Sequence, residues 1–551
     1  MAADTCAAPD GSKPFSFGLE PRTLAFVVVL ISSTPFLLVF VLPRILARIG
    51  QALGWTLRKR TDGRRSLLLS LMQDDDNKRD GQADKRQAQE AGAGVLSGVD
   101  IQQQDWNGIV GFFHPFCNAG GGGERVLWAA IRATQIRWPK AKCVVYTGDH
   151  DVNKDAILHR IESRFNIHLH PPTITFLYLS KRHWVLASTW PHFTLLGQSL
   201  GSMILAWDAF SLLVPDIFID TMGYAFALGL SKFLFPSVPT GAYVHYPTIS
   251  TDMLASLDPT SSVGSLGVNA GKGTGSRGMA KRAYWELFAK IYSWVGSSID
   301  VVMTNSTWTQ AHVKSLWGPW REEKEKTHPI AVVYPPCAVS ELENEVEVSE
   351  ASEKRREPVL VYIAQFRPEK NHQLILQSFA EFLRTKTKAA QSARLVLIGS
   401  VRDDQDSKKV YQLRLLVNEL GIKDRVEFHL DASWPEILEW LCRASVGVNG
   451  MWNEHFGIGV VEYQAAGLIS VVHDSGGPKL DIVVDVDGEP TGYHATSAEE
   501  FAAGYEKALS HPNPLQVRKR ARASAKRFTE EEFAKKWLAE MDWLVALRTR
   551  R

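Results

Sequence analysis

The chain has 551 residues and a formal net charge of +2, long enough for two or three domains with real cores. A balance so near neutral argues against a dedicated nucleic-acid binder. Five scattered cysteines, Cys6, Cys117, Cys143, Cys337 and Cys442, with no CxxC pair, fit free thiols in a reducing compartment and not a disulfide frame or a zinc site.

From the N-terminus, residues 24–43 are expected to form one transmembrane helix. Leu24 to Leu42 is apolar and free of charge, and roughly 20 such residues cross a bilayer. The rival is a signal peptide, whose apolar core is shorter and ends at a small-residue cleavage site, which is not evident here. Arg44, Arg48, Arg58, Lys59, Arg60, Arg64 and Arg65 follow the apolar run, and only Lys13 and Arg22 precede it. The positive-inside tendency therefore assigns residues 1–23 to a lumenal tail and the bulk of the chain to the cytosol. Residues 44–106 read as a basic juxtamembrane segment, amphipathic over Ile45 to Leu57 and suited to a membrane surface, then a flexible tether over Gln73 to Gln104.

A first domain is expected over residues 107–338. Ile109 to Phe113 is a buried-strand pattern that runs into His114-Pro-Phe-Cys-Asn-Ala-Gly120-Gly-Gly-Gly123-Glu-Arg125, and a helix follows. Strand, glycine loop and helix can seat a phosphate or sugar at the helix start. No Lys-Ser/Thr follows the glycines and Arg125 takes the place of a third spaced glycine, so neither Walker A nor GxGxxG fits. Further strands are expected over Cys143 to Thr147, Thr173 to Leu179, Asp216 to Asp220, Gly241 to Tyr246 and Val301 to Asn305, alternating with helices as in a parallel αβ sheet. Lys181 to Leu213 reads either as core helices or as a membrane-facing aromatic surface. Ser261 to Gly278 reads as a Gly/Ser insertion, and Asn305-Ser-Thr as an inert glycosylation sequon.

Val339 to Glu357 is charged and reads as the inter-domain linker. A second αβ domain is expected over residues 358–551, with strands at Val359 to Ala364, Arg394 to Ile398, Val426 to His429, Val446 to Val448 and Ile469 to His473. Its basic, amphipathic end, Pro514 to Leu547, is expected to be helical and to return to the first domain. Two such domains imply a cleft between the carboxyl ends of facing parallel sheets.

The loop and helix after the fourth of these strands hold Asn453-Glu454-His455-Phe456-Gly457-Ile458-Gly459-Val460-Val461-Glu462. Eight helical residues give about 80° of rotation and about 12 Å of rise, so Glu454 and Glu462 are no proton-sharing dyad. They can touch two parts of one elongated ligand, or be two solvated glutamates on an ordinary αβ unit. The amides near Phe456 to Gly459 are unpaired donors of a helix start. Arg367-Pro-Glu-Lys370 joins a strand to a helix; its charges can meet a diphosphate or lie in a solvated turn.

Glu454 to Glu462 resembles the E-x7-E signature of the family 4 retaining glycosyltransferases. With FFHPFCNAGGGGERVLW, YVHYPTIS and AQFRPEKNH, the resemblance covers most of the chain from about Asn107. It implies a GT-B fold: two Rossmann-like α/β domains facing a cleft, here with one N-terminal transmembrane helix. More narrowly, these stretches are similar to those of the GDP-mannose-dependent α-1,2-mannosyltransferases that extend a dolichyl-diphosphate-linked oligosaccharide, adding two successive mannoses, at the cytosolic face of the endoplasmic reticulum. The resemblance assigns Glu454 to the donor mannose and His245 to its neighbourhood. It gives Gly121, Gly122, Arg367, Lys370, Phe456, Gly457 and Ile458 to the donor diphosphate, and Glu462 to the ribose hydroxyls. It implies no metal and no cofactor beyond GDP-mannose as donor substrate, with other mannosyltransferases of the reticulum as partners. One departure stands out: Ala364-Gln365 replaces the family's Gly-Arg, and Arg367 follows two residues later. Two other classes stay open: a UDP-N-acetylglucosamine transferase acting on phosphatidylinositol, and a tethered scaffold without turnover.

Overall fold

The computed structural model describes residues 41–78, 106–258, 260–261 and 274–550. The expected lumenal tail, residues 24–40 of the expected transmembrane helix, the tether over 79–105 and the centre of the Gly/Ser insertion lie outside the described residues. Among the described residues, no helix is long and apolar enough to cross a membrane.

The first lobe is built on a parallel sheet of seven strands: β1 (Ile109–Phe113), β2 (Lys142–Thr147), β3 (Ile174–Tyr178), β4 (Ile217–Asp220), β5 (Thr240–Val244), β6 (Val301–Thr304) and β7 (Ile330–Val332), in the order β3-β2-β1-β4-β5-β6-β7. The second has six parallel strands: β8 (Glu357–Ile363), β9 (Arg394–Gly399), β10 (Val426–Leu430), β11 (Ala444–Asn449), β12 (Ile469–His473) and β13 (Gly492–Ala495), in the order β10-β9-β8-β11-β12-β13. β1, β4, β5, β11 and β12 are buried along their whole length, as expected of strands covered by helices on both faces. The order reverses between β1 and β4 and between β8 and β11, and ligands of such sheets sit beyond the carboxyl ends at those points. β7 and β13 were not expected. Both are short edge strands, half-exposed in part, and carry too few residues for a periodic signal.

The helix after the juxtamembrane arginines runs unbroken from Leu42 to Lys78. It takes in Gln73 to Lys78, which the sequence reading assigned to the tether. Its Gly50, Gly54 and Leu57 rest against Phe233 to Phe235 of the first lobe, and Leu42, Ile45, Leu46, Ile49 and Leu53 are exposed. The expected linker is not a bare connector either. Val339–Glu345 and Glu350–Glu353 are helical, and Val339, Leu342 and Val346 are buried in the core of the second lobe. Lys181 to Leu213 forms short turns and a helix, Thr194–Leu212, that buries Leu205, Ala206, Ala209 and Phe210 and exposes Leu200, Ile204 and Trp207, with Phe193 exposed just before it.

The C-terminal helix, Glu530–Thr549, leaves the second lobe and packs on the first. Trp537 stacks on Phe112 at 6.3 Å and donates to Thr134 Oγ1 at 3.2 Å. Arg548 meets Asp216 Oδ1 at 3.0 Å; Arg65, from the first helix, meets Asp216 Oδ2 at 2.5 Å. The chain thus passes between the lobes twice, at residues 333–337 and 526–533. The two passages are joined by a hydrogen bond from Cys337 N to Phe528 O at 2.9 Å, with the Tyr334 ring edge-on to Phe528 at 5.0 Å.

Candidate active site

Four loops at carboxyl ends of strands converge between the lobes. After β8, Pro368 to Lys370 forms a single tight turn, started by a proline whose φ is already fixed. The left-handed Asn371 (φ 50°) closes it and opens the helix His372–Arg384. Lys370 is thereby aimed at the loop after β11, where its Nζ meets Glu454 Oε2 at 2.5 Å. Burial pushes the Glu454 carboxyl up, but the Lys370 charge and hydrogen bond outweigh it and hold it below the ordinary carboxylate range. Glu454 is therefore ionised, and its second oxygen is free to accept from a ligand hydroxyl.

Beyond Glu454 the chain turns through Gly457 at φ 107°, a conformation that costs side chains and not glycine. The helix Ile458–Ala465 starts there. Its first closing bond is Val460 N to Gly457 O at 2.9 Å, so the amides of Ile458 and Gly459 precede the ladder and carry the positive end of the helix dipole. The loop is held from behind. Gly477 N donates to Glu454 O at 2.8 Å, and Asn453 N to Ser475 Oγ at 2.7 Å. A Cβ at Gly477 would lie 2.5 Å from Phe456 O and 2.6 Å from Phe456 Cα, inside any tolerable contact.

The first lobe supplies the opposite wall. His245 follows β5; its Nε2 lies 3.1 Å from Thr221 O. Burial, with His114 close by, pulls its imidazole down to about 4, so it is neutral at physiological pH. Gly122 faces the Ile458 side chain across the gap, and Gly121 N donates to Glu124 Oε2 at 2.5 Å, fixing the glycine loop on its helix.

A cavity of about 420 Å³ lies between these walls. Of the residues expected at the site, Gly122, His245, Lys370, Glu454, Phe456, Gly457 and Ile458 line it. Gly121, Arg367 and Glu462 do not. Arg367 is 39% exposed with Glu369 at 3.8 Å, and Gln365 reaches the cavity in its place. Glu462 sits further along its helix, where burial pushes it up to about 7 against the pull of Arg125. Among the lining residues that the sequence reading did not assign to the site are two asparagines, Asn305 and Asn449. Asn305 was read as part of an inert sequon, yet its Oδ1 is buried with no hydrogen-bond partner among the described residues. The available signal was its position just past a strand end on the carboxyl side of the sheet.

Chemically the cavity offers one cation, a helix start, an ionised carboxylate and amide side chains. That set suits an elongated ligand with a diphosphate and hydroxyls. Among the described residues, no group of three or more His, Cys, Asp or Glu is placed to hold a metal ion.

Comparison with known proteins fits this geometry. Residues 107–317 match the family described as ALG11 mannosyltransferase N-terminus, and residues 344–528 match glycosyl transferases group 1. A Neurospora crassa protein named GDP-Man:Man(3)GlcNAc(2)-PP-Dol alpha-1,2-mannosyltransferase is 70% identical, covering 93% of this chain and 95% of its own. The Homo sapiens protein of the same name is 46% identical, over 79% of this chain and 87% of its own. Among solved structures, Anabaena HepE in complex with UDP and glucose superposes with a TM-score of 0.51 at 14% identity, over 78% of this chain and 98% of its own. A UDP-forming trehalose-phosphate synthase from Burkholderia xenovorans gives 0.54 at 12%, over 80% and 100%. At that identity the last two speak for the fold alone.

Proposed function

Because the chain belongs to the family of the ALG11 mannosyltransferases, we propose that it moves mannose from GDP-mannose, in α-1,2 linkage, onto Man(3)GlcNAc(2) carried on dolichyl diphosphate, and repeats the step once. The observation that carries this reading is the cavity in which Lys370, Glu454 and the start of the Ile458–Ala465 helix face His245 and Gly122. The diphosphate of the donor lies against the helix start and Lys370, which relinquishes part of its pairing with Glu454 to it. Glu454 accepts hydrogen bonds from mannose hydroxyls, and Asn305 satisfies its open Oδ1 on the same sugar. Glu462 accepts from the ribose hydroxyls. Transfer with retention breaks the bond from the anomeric carbon to phosphate oxygen and forms one to the acceptor hydroxyl on the same face. The hydroxyl proton passes to the departing phosphate. The cation and the helix start stabilise the charge that develops there, and no metal takes part in this reading.

The same proposal places the protein at the endoplasmic reticulum membrane with both lobes in the cytosol. Support comes from the apolar run Leu24 to Val41, the basic residues after it, and the exposed stripe Leu42, Ile45, Leu46, Ile49 and Leu53 that continues it.

The test is product analysis: the full chain in lipid vesicles, GDP-mannose, and a dolichyl-diphosphate-linked Man(3)GlcNAc(2) acceptor. GDP release with two added α-1,2-mannoses is expected. GDP, and not UDP, is expected to raise the melting temperature, because a ligand at about 100 times its Kd adds about 2.7 kcal/mol to the folded state. Stabilisation by UDP instead would favour a UDP-sugar transferase, and absence of turnover would favour a scaffold.

A further inference from the structure

A second cavity, of about 510 Å³, opens on the far side of His455. His455 lines both cavities. Its ring lies parallel to Tyr246 at 4.0 Å and 19°, and to Trp308 at 5.4 Å and 21°. Burial pulls the imidazole down to about 4, so this partition is an uncharged block of aromatic rings contributed by both lobes. The lobes also meet at its edge, where Asn453 Nδ2 donates to Asp252 Oδ2 at 2.6 Å.

The lining decides what can enter. It combines ring faces with the carboxylates of Asp252 and Glu369 and the amides of Asn371 and Asn453. No Lys or Arg lines it among the described residues, in contrast to the first cavity, which has Lys370. A diphosphate would meet two carboxylates and no lining cation, and an acyl or prenyl chain would take water from the lining carboxylates and amides while offering them no hydrogen bond. A neutral polyol fits both halves. Its C–H faces pack on the electron-rich ring faces, and its hydroxyls donate to the carboxylates.

We propose that this second cavity is the subsite for the mannose residues of the acceptor, with Trp452 as a stacking face and Glu369 and Asp252 as hydroxyl acceptors. The inference rests on the transferase reading above. The terminal sugar of the acceptor then lies against His455, one ring away from the donor mannose, and its hydroxyl enters the first cavity past that ring. Because Asp252 and Asn453 come from different lobes, the subsite is complete only when the lobes are together.

The test uses the full chain in vesicles, with initial rates at varied GDP-mannose and varied lipid-linked acceptor. Trp452→Ala and Glu369→Gln are chosen because both side chains are part-exposed or exposed, so that folding is not at stake; melting temperatures near that of the unchanged chain check this. Each is expected to raise the acceptor KM about tenfold or more, the cost of one good stacking or charged hydrogen-bond contact, with the GDP-mannose KM and the GDP-induced thermal shift unchanged. An unchanged acceptor KM in both variants, or a rise in the donor KM instead, overturns the assignment. Should the unchanged chain transfer no mannose, the transferase reading fails separately. Saturation-transfer NMR with free mannotriose then still tests the subsite. A transfer signal seen with the unchanged chain and abolished in the variants supports it; a signal that persists in the variants, or that never arises, overturns it.

Discussion

Glu462 is set by two opposed forces, burial that favours the neutral acid and the Arg125 charge that favours the anion, and it comes to rest at about 7. Ionising it therefore costs on the order of 3 kcal/mol more than ionising a solvated glutamate. The sign follows directly. A carboxyl raised in the folded state contributes stability that is full below about 4.5 and lost as pH rises through 7. A donor whose ribose hydroxyls need the anion must expel that proton. GDP affinity is therefore expected to rise between pH 6 and 8, approaching about tenfold per unit below the midpoint, and Glu462→Gln is expected to flatten that dependence. Calorimetric titration with GDP at the two pH values checks this, and an equal slope in both proteins would remove Glu462 from the nucleotide contact. At this scale the sequence was informative where a motif marked the residue, as at Lys370 and Glu454. Asn449 carries no motif, and the sequon at Asn305 points to a different chemistry. They reach the cavity by standing at strand ends, which only the assembled sheet makes visible.

The loop from Glu454 to Gly457 is shaped from behind by the segment Ser475 to Gly477. That support is as strict as any contact to a ligand, because a Cβ at Gly477 meets the Phe456 backbone, which has no rotamer to give way. Gly477→Ala is expected to displace the Phe456 and Ile458 amides and lower kcat/KM by about 10², the usual penalty for a misplacement near 1 Å. Gly488→Ala, where a Cβ meets nothing within 4 Å although φ is 79°, serves as a control for glycine loss alone. Equal effects of the two changes on kcat/KM would contradict the role given to Gly477. Gly476-Gly477 passed unnoticed in the sequence because a glycine pair reads as an ordinary turn until its neighbour is known. The strand–loop–helix units themselves were legible, since their apolar runs are continuous. The edge strands β7 and β13 were not, since pairing and not side-chain pattern makes them strands.

Across the whole molecule, residues far apart in sequence do the fastening. Asp216 gathers Arg65 from the first helix, Arg548 from the last, and the amide of Ile109 at 2.9 Å. Burial alone would raise its carboxyl, but Arg65 first among its partners pulls it below the ordinary carboxylate range. Its contribution is thus present at neutral pH and fades as acid protonates it. Breaking a buried pair costs about 3–5 kcal/mol. Both arginines here are about a quarter exposed, so solvent screening reduces this to about 2 kcal/mol for Asp216→Asn. That corresponds to a fall of roughly 4–8 °C in melting temperature for a lobe of this size, measurable by calorimetry at pH 7. No change there would show the two helices to be held by packing alone. Nothing local in the sequence announces such a meeting. What was legible at this scale was the pair of αβ sets and the cleft they imply.

The hydrogen bond between Cys337 and Phe528 has a mechanical consequence. Two chain passages pinned to each other act as the knuckles of a leaf hinge: they leave one axis of swing and resist twist and slide. A swing of the second lobe about such a pin would return it to the same height, with Lys370 again opposite His245. The alignment of the two cavity walls is then a property of the pin and not of whatever is bound between them.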